Sequence, residues 1–283
     1  MKTLNVPEGG TIRYRDVGDG FPIICIHGWG ASGEFLDGTV ASLSSRFRIL
    51  VPNLRGHAGS SPFAEGTSFS QLGDDIDALI RKENLDRVVL LGWSLGAMVA
   101  WDYLDRYGDA RIAGLIVIEM VPRLLNDEQW SHGLREGRDE LVFGRSLAAM
   151  RADWNAFTGV FIPRVFAPDA SAERIAEGRE LAGRNDPESM ARLWSALVTQ
   201  DHRETVARIR VPTLIVHGAR SQLYEREASR WLADQIAGAR LECFEHSGHA
   251  PHLEEPERFE KLVDEFVAGL HQPESQPAAT KQN

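Results

Sequence analysis

Short apolar runs recur along the chain, with helical stretches between them. Residues 11–15 alternate apolar and polar positions, as in a half-exposed strand. Residues 21–26, 47–51, 88–91, 114–118, 213–216 and 240–244 are short, largely apolar runs of the kind buried on both faces. Helical spacing appears between them. Residues 70–83 carry Leu72, Ile76, Leu79 and Ile80 one turn apart, and 96–107, 225–235 and 256–270 behave similarly. Strands alternating with helices predict βαβ units and a mostly parallel sheet covered by helices on both faces.

One stretch breaks the alternation. Residues 122–209 contain no buried strand pattern and instead predict helices at 126–137, 139–152, 171–183 and 187–199, punctuated by Pro163, Pro168 and Pro187. This reads as a helical cap (122–209) inserted into an α/β core made of 1–121 and 210–270. The cap is rich in apolar bulk. Trp130, Phe143, Trp154 and Phe157, with Trp93 of the core, are candidate substrate contacts, and plain packing is the competing explanation for each. The polar, proline-containing residues 271–283 are expected to be disordered.

A net charge of −10 argues against a nucleic-acid partner. No run approaches the ~18 apolar residues of a membrane span, and the first residues lack the long apolar stretch of a signal peptide. The expectation is a cytoplasmic protein. Cys25 and Cys243 lie in separate strand-like runs and read as small buried thiols rather than a disulfide or metal pair. His246, His249 and His252 fall three apart, but Gly248 and Pro251 interrupt any helical metal-binding face, so no metal is expected.

The chemistry concentrates at Gly92-Trp93-Ser94-Leu95-Gly96, which follows the strand run 88–91 and opens a helix. Strand, G-x-S-x-G, helix is the order of a nucleophile elbow: the serine stands at the tip of a tight turn, with the helix N-terminus behind it. A serine hydroxyl needs a base, and the base an orienting carboxylate, in the chain order Ser, acid, His. His249, in the loop after the strand ending at Phe244, fits the base, with His246 and His252 as rivals. An oxyanion would take the N–H of Leu95 and a second donor from the Gly-rich loop His27-Gly28-Trp29-Gly30, for which Trp29 is the candidate. His27 precedes Ser94, against the expected order, and reads as a brace for this loop.

These segments, together with Arg55-Gly56-His57-Ala58-Gly59-Ser60 and the run from Ser247 to Glu254, resemble the α/β-hydrolase fold superfamily in its serine esterase branch. The elbow and the His-Gly-Trp-Gly loop are similar to those of the pimeloyl-carrier-protein methyl ester esterases. The resemblance covers residues 10–120 and 208–270 and implies a doubly wound, eight-stranded sheet. Two positions depart from the family pattern. Asn53 stands where an aspartate is usual, and Ser221 occupies the common place of the triad acid. Some branches carry that acid one strand earlier, where this chain has Glu119, an ionisable residue ending an apolar run. Such a carboxylate needs a partner, and His249 is the candidate. Glu225 is the second choice, with an ordinary explanation at a helix start.

The resemblance implies hydrolysis of small to medium apolar esters or lactones through an acyl-enzyme on Ser94, without a cofactor. A serine nucleophile excludes the aspartate-based chemistries of the fold. Acyl transfer to another acceptor (alcohol or peroxide), cyanohydrin-type lyase chemistry and a non-catalytic receptor role stay open. Arg123, Arg135, Arg138, Arg145, Arg151 and Arg164 give the cap basic character. They could meet an acidic carrier protein, against the simpler reading of solvated, paired helix faces.

Overall fold

The computed structural model describes residues 1–135 and 140–270. Eight strands form one sheet: β1 (Lys2–Asn5), β2 (Thr11–Val17), β3 (Phe21–Ile26), β4 (Phe47–Pro52), β5 (Val88–Trp93), β6 (Ile112–Ile118), β7 (Thr213–Gly218) and β8 (Arg240–Phe244). Their spatial order is β1-β2-β4-β3-β5-β6-β7-β8. β2 runs antiparallel to both β1 and β4, and every other neighbouring pair is parallel. The expected architecture is therefore present. β1 was not anticipated, because its four residues bury only Leu4 and leave no readable alternation.

Side chains of the inner strands alternate between two cores, as the strand period of two requires. Ile24, Leu90, Leu115, Val117 and Ile215 face one core. α2 (Ser70–Lys82) and α3 (Leu95–Tyr107) cover it with Leu72, Ile76, Leu79, Val99 and Trp101. Ile23, Val89, Leu91, Ile116, Ile118 and Leu214 face the other. There α1 (Asp37–Leu43) contributes Val40 and Leu43, and the C-terminal helix Pro256–Gly269 contributes Phe259, Val263 and Val267. Each fully buried aliphatic side chain contributes about 1.5–3 kcal/mol. Cys25 and Cys243 are unpaired. Among the described residues, no helix is long and apolar enough to cross a membrane.

Between β6 and β7 the chain forms α4 (Glu140–Ala152), α5 (Trp154–Val165), α6 (Ala172–Gly183), α7 (Pro187–Val198) and α8 (Arg203–Arg208). The helix expected at 126–137 is not there. Residues 126–135 form turns and the isolated bridge Asp127↔Trp130, while 136–139 lie outside the described residues. Short polar side chains capture this backbone: Asn126 Oδ1 accepts from the Gly133 N–H and Asp127 Oδ1 from that of Gln129, each within 2.8 Å. Conversely, α5 and α8 were not expected. Asp153 caps α5 by accepting from the Ala156 N–H at 2.9 Å, and Pro163 falls in the last turn, where it ends the helix instead of preventing it. After β7 come α9 (Arg226–Gln235) and, beyond β8, the short α10 (Pro251–Glu254) and α11 (Pro256–Gly269). The tail expected to be disordered, 271–283, lies outside the described residues.

The core positions the site at the crossing of β5 and α3, where two backbones touch. A Cβ on Gly92 would stand 2.5 Å from the Ala97 nitrogen, and one on Gly96 only 2.1 Å from the Ile26 carbonyl oxygen. Both obstacles are backbone and cannot rotate away. Gly38 in α1, by contrast, has nothing within 4 Å. Gly96→Ala is therefore expected to lose about 3 kcal/mol or more, or to fail to fold. Gly38→Ala should be neutral or gain up to about 1 kcal/mol from helix propensity. Urea unfolding of the two variants checks this, and a well-folded Gly96→Ala would contradict the close approach.

Candidate active site

Strand register brings the ends of the inner strands into line. Ile26 pairs with Gly92, Trp93 with Ile118, Ile118 with Val216, and Gly218 with Phe244. The residues just beyond these pairs therefore emerge at the carboxyl edge of the sheet, where open α/β sheets bind their ligands. They include the His27–Gly30 loop, Ser94, Glu119, the 219–224 loop and the loop carrying His249.

Ser94 has φ +53 and ψ −119, a conformation that side chains other than glycine's rarely adopt. It stands immediately before α3, whose first N–H groups, Leu95's among them, have no partner within the helix. The Gly28 loop crosses close by: a Cβ on Gly28 would lie 3.3 Å from Ser94 Cβ. Trp29, the next residue of this loop, lines a cavity together with Ser94. Two buried, neutral imidazoles brace the loop. His27 donates from Nδ1 to the Gly28 carbonyl at 2.8 Å and accepts from the Leu54 N–H at 3.0 Å; burial pushes it down to about 4. His57 accepts from the Gly30 N–H at 3.1 Å, and burial, then His27, holds it well below its ordinary value. Asn53 Oδ1 accepts from the Gly33 N–H at 2.8 Å, a structural task.

Glu119, with φ +41, is fully buried at the end of β6. His249 Nδ1 lies 2.6 Å from its Oε2. The Ser221 hydroxyl donates to the same oxygen at 2.9 Å, while His217 Nδ1 and the Gly218 N–H reach Oε1 at 3.0 and 3.3 Å. Burial acts to raise the carboxyl, but the donors of His217 and then His249 outweigh it and hold Glu119 below its ordinary value. His249 itself is held from both sides: its carbonyl accepts from Trp93 Nε1 at 2.8 Å, and its N–H donates to the Val165 carbonyl at 2.9 Å. Glu254 ties the same loop to the inserted helices, accepting from the Gly248 and Ala167 N–H groups, each at 2.7 Å.

The rivals sit elsewhere. His246 is exposed. His252 is buried against Trp93 and Phe259, and burial lowers it to about 3. Glu225 is exposed, makes no capping hydrogen bond at the start of α9, and pairs with Arg135 at 2.7 Å. Ser94, His249, Trp29, Trp93, Met120 and Tyr224 line one small cavity of about 30 Å³. It adjoins a chamber of about 580 Å³ formed largely by α4, α5 and α7. Trp29, Leu134, Phe161, Trp194 and Leu223 line both.

Of the aromatic substrate candidates, Trp93 lines the inner cavity, and Phe143 and Phe157 line the outer one. Trp130 and Trp154 line neither. Trp130 packs edge-on against Trp231 under the Arg203 guanidinium and donates to the Arg123 carbonyl. Trp154 packs behind Trp29 and donates to the Ala182 carbonyl at 3.0 Å. Both are apolar supports with a satisfied N–H. His217, Met120, Phe161, Trp194 and Tyr224 were not singled out from sequence. His217 had a usable signal, an ionisable residue ending an apolar strand just before Ser221. Among the described residues no group of His, Cys, Asp and Glu could hold a metal ion.

The chain resembles known proteins over most of its length. A model of the alpha/beta hydrolase family matches residues 23–262. A Nitrosomonas europaea protein named pimeloyl-acyl-carrier-protein methyl ester esterase is 29% identical over 90% of this chain and 98% of its own length. The AB hydrolase superfamily protein YisY of Bacillus subtilis is 27% identical over 93% of this chain and 97% of its own. The solved structure of the esterase EaEST from Exiguobacterium antarcticum superposes with a TM-score of 0.88 at 26% identity, covering 94% of this chain and 99% of that one.

The left-handed backbone at Ser94 leads to a stability prediction separable from any activity. A side chain there costs on the order of 1–3 kcal/mol, so Ser94→Gly is expected to melt at a higher temperature than Ser94→Ala. Thermal unfolding followed by circular dichroism decides it; equal or reversed melting temperatures would show that the turn is not strained.

Proposed function

The chain belongs to the alpha/beta hydrolase family, and from that premise we propose that it is a serine hydrolase of carboxylic esters, with Ser94 as nucleophile, His249 as general base and acid, and Glu119 as the orienting carboxylate. The observation that carries this is the 2.6 Å contact of His249 Nδ1 with a buried carboxylate, at a cavity that His249 shares with the elbow serine. Ser94 Oγ attacks the ester carbonyl while His249 Nε2 takes its proton. The oxyanion is held by the N–H groups of Trp29 and Leu95. His249 returns the proton to the departing alcohol, and water, activated by the same imidazole, releases the acid. Glu119 stays ionised throughout and stabilises the imidazolium. This chemistry needs no cofactor.

The two cavities support a reading of the substrate. The space beside Ser94, about 30 Å³, admits one small group. The adjoining 580 Å³ falls in the range of roughly 300–1,000 Å³ typical of organic ligands. The substrate in this reading has a small group on one side of the ester and an extended apolar group on the other, with 122–209 acting as the cap above it. A lactone of matching shape fits equally. A carrier-protein ester has the support of the relatives' names, but the surface charge does not add to it. Arg123, Arg135 and Arg151 are engaged by Asp127, Glu225 and Glu188; Arg138 lies outside the described residues.

Ser94→Ala is expected to abolish turnover of p-nitrophenyl acetate and labelling by a phosphonate. Glu119→Gln should lower kcat by roughly 10³–10⁴-fold, and Glu225→Gln should leave it unchanged. Retained turnover in Ser94→Ala would end the proposal, and the opposite ranking of the glutamates would move the acid to Glu225. For the substrate, methyl octanoate or octyl acetate should show a higher kcat/KM than either methyl acetate or octyl octanoate. A flat profile would remove the two-cavity argument.

A further inference from the structure

The proposed mechanism uses one of the two imidazoles that meet the buried carboxylate. The other, His217, lies in β7 with 2% exposure, opposite Cys243 in register. Its Nδ1 is 3.0 Å from Glu119 Oε1 and 3.1 Å from the Ser229 hydroxyl of α9. The neighbouring anion favours the tautomer with the proton on Nδ1. A bare Nδ1 would point a lone pair at a carboxylate oxygen, whereas an N–H is shared between that anion and the serine oxygen. A structural histidine buried for packing alone has no reason to spend its Nδ1–H on the carboxylate that His249 uses.

We propose that His217 is a positioning residue for catalysis, acting on His249 through Glu119. The inference rests on the ester-hydrolase reading of Ser94, His249 and Glu119. A glutamate has three side-chain torsions to immobilise, and here it hangs from a left-handed backbone position. Ser221 and His249 hold Oε2; His217 and the longer Gly218 contact hold Oε1. Without His217, Oε1 keeps a single donor at 3.3 Å, so the carboxylate is held firmly at one oxygen only and binds a proton more readily.

The remaining surroundings supply little compensation. The groups facing the carboxylate and its two histidines are Tyr224 from the loop after β7, Ser229 from α9, Cys243 from β8 and His252 from α10. Glu254 and Glu255 of that last region are occupied by the backbone and side chains of 246–248. Among the described residues, then, His217 is the second imidazole on this anion. A carboxylate with fewer donors attracts the proton of the imidazolium more strongly, which raises the pH at which base catalysis stops. The acid limb of kcat/KM should move upward.

The test compares His217→Leu, which removes the donor, with His217→Asn, whose amide N–H falls near the place of Nδ1. His217→Leu is expected to lower kcat by about 10-fold or more with KM within about 2-fold, and to move the acid limb up by about half a pH unit or more. His217→Asn should recover both. Wild-type kcat and pH profile in a folded His217→Leu would overturn the proposal and leave His217 a packing residue. Should His217→Leu not fold, His217→Gln replaces it, because its amide lies where Nε2 was and cannot reach Glu119. Identical profiles for the Gln and Asn variants would equally overturn it. The downfield proton resonance of His249 Nδ1–H in the resting protein gives a readout independent of turnover: it should shift in the Leu variant and return in the Asn variant. If the wild type neither hydrolyses an aryl ester nor reacts with a phosphonate, the esterase reading itself fails, whereas a Ser94-dependent wild type with an indifferent His217 sinks only this inference.

Discussion

A charged carboxylate with no solvent contact is the constraint around which this site is organised. Taking Glu119 out of water without donors would neutralise it, and a neutral acid cannot stabilise an imidazolium. Four donors meet it instead: His249, Ser221, His217 and the Gly218 N–H. They come from β7, the loop after it and the loop after β8, so the ionised state of one side chain on β6 requires three chain segments to be correctly folded at once. Ser221 shows how the arrangement absorbs its departure from the commoner pattern. Its hydroxyl does not stand in for a carboxylate; it donates to one, Glu119.

The parallel register makes that convergence possible. Trp93↔Ile118 and Ile118↔Val216 end in line, so Ser94 and Glu119 emerge side by side and the 219–224 loop lies against both. Two of the non-glycine residues with positive φ, Ser94 and Glu119, stand at the same edge, above the two packed cores. The braces around it are neutral. His27 and His57 are kept uncharged by burial and tie the Gly-Trp-Gly loop to the 54–55 backbone. Above the edge, Trp29 is surrounded by Trp154, Phe157, Phe161 and Trp194, and so belongs both to the Gly-rich loop beside Ser94 and to the wall of the outer chamber. Loop position and chamber shape are thereby linked through one indole.

The family assignment and this geometry meet at the level of reaction class. Relatives and solved structures carry names of esterases, and in the proposed reading Ser94, His249 and Glu119 supply what acyl transfer through a serine requires. The finer question of substrate turns on the helical segment, whose aromatic residues divide between wall and support.

The sequence by itself determined the alternating architecture and, through its resemblance to the hydrolase family, pointed to the elbow serine, the histidine loop and the glutamate. Each depends on local pattern: apolar periodicity, two glycines around a serine, and an ionisable residue ending an apolar run. It missed β1, α1, α5, α8 and α10 and expected a helix at 126–137, because elements of four to seven residues carry no readable period, because a proline in a last turn looks like one that breaks a helix, and because Asn126 and Asp127 satisfy the backbone by themselves. Only the tertiary structure decided that Trp130 and Trp154 are supports, that Glu225 belongs to Arg135, and that His217 shares the carboxylate of His249. Those are contacts between residues up to 130 positions apart, set by register and by the packing of helices on the sheet, and no local pattern encodes which partner a buried polar group will find.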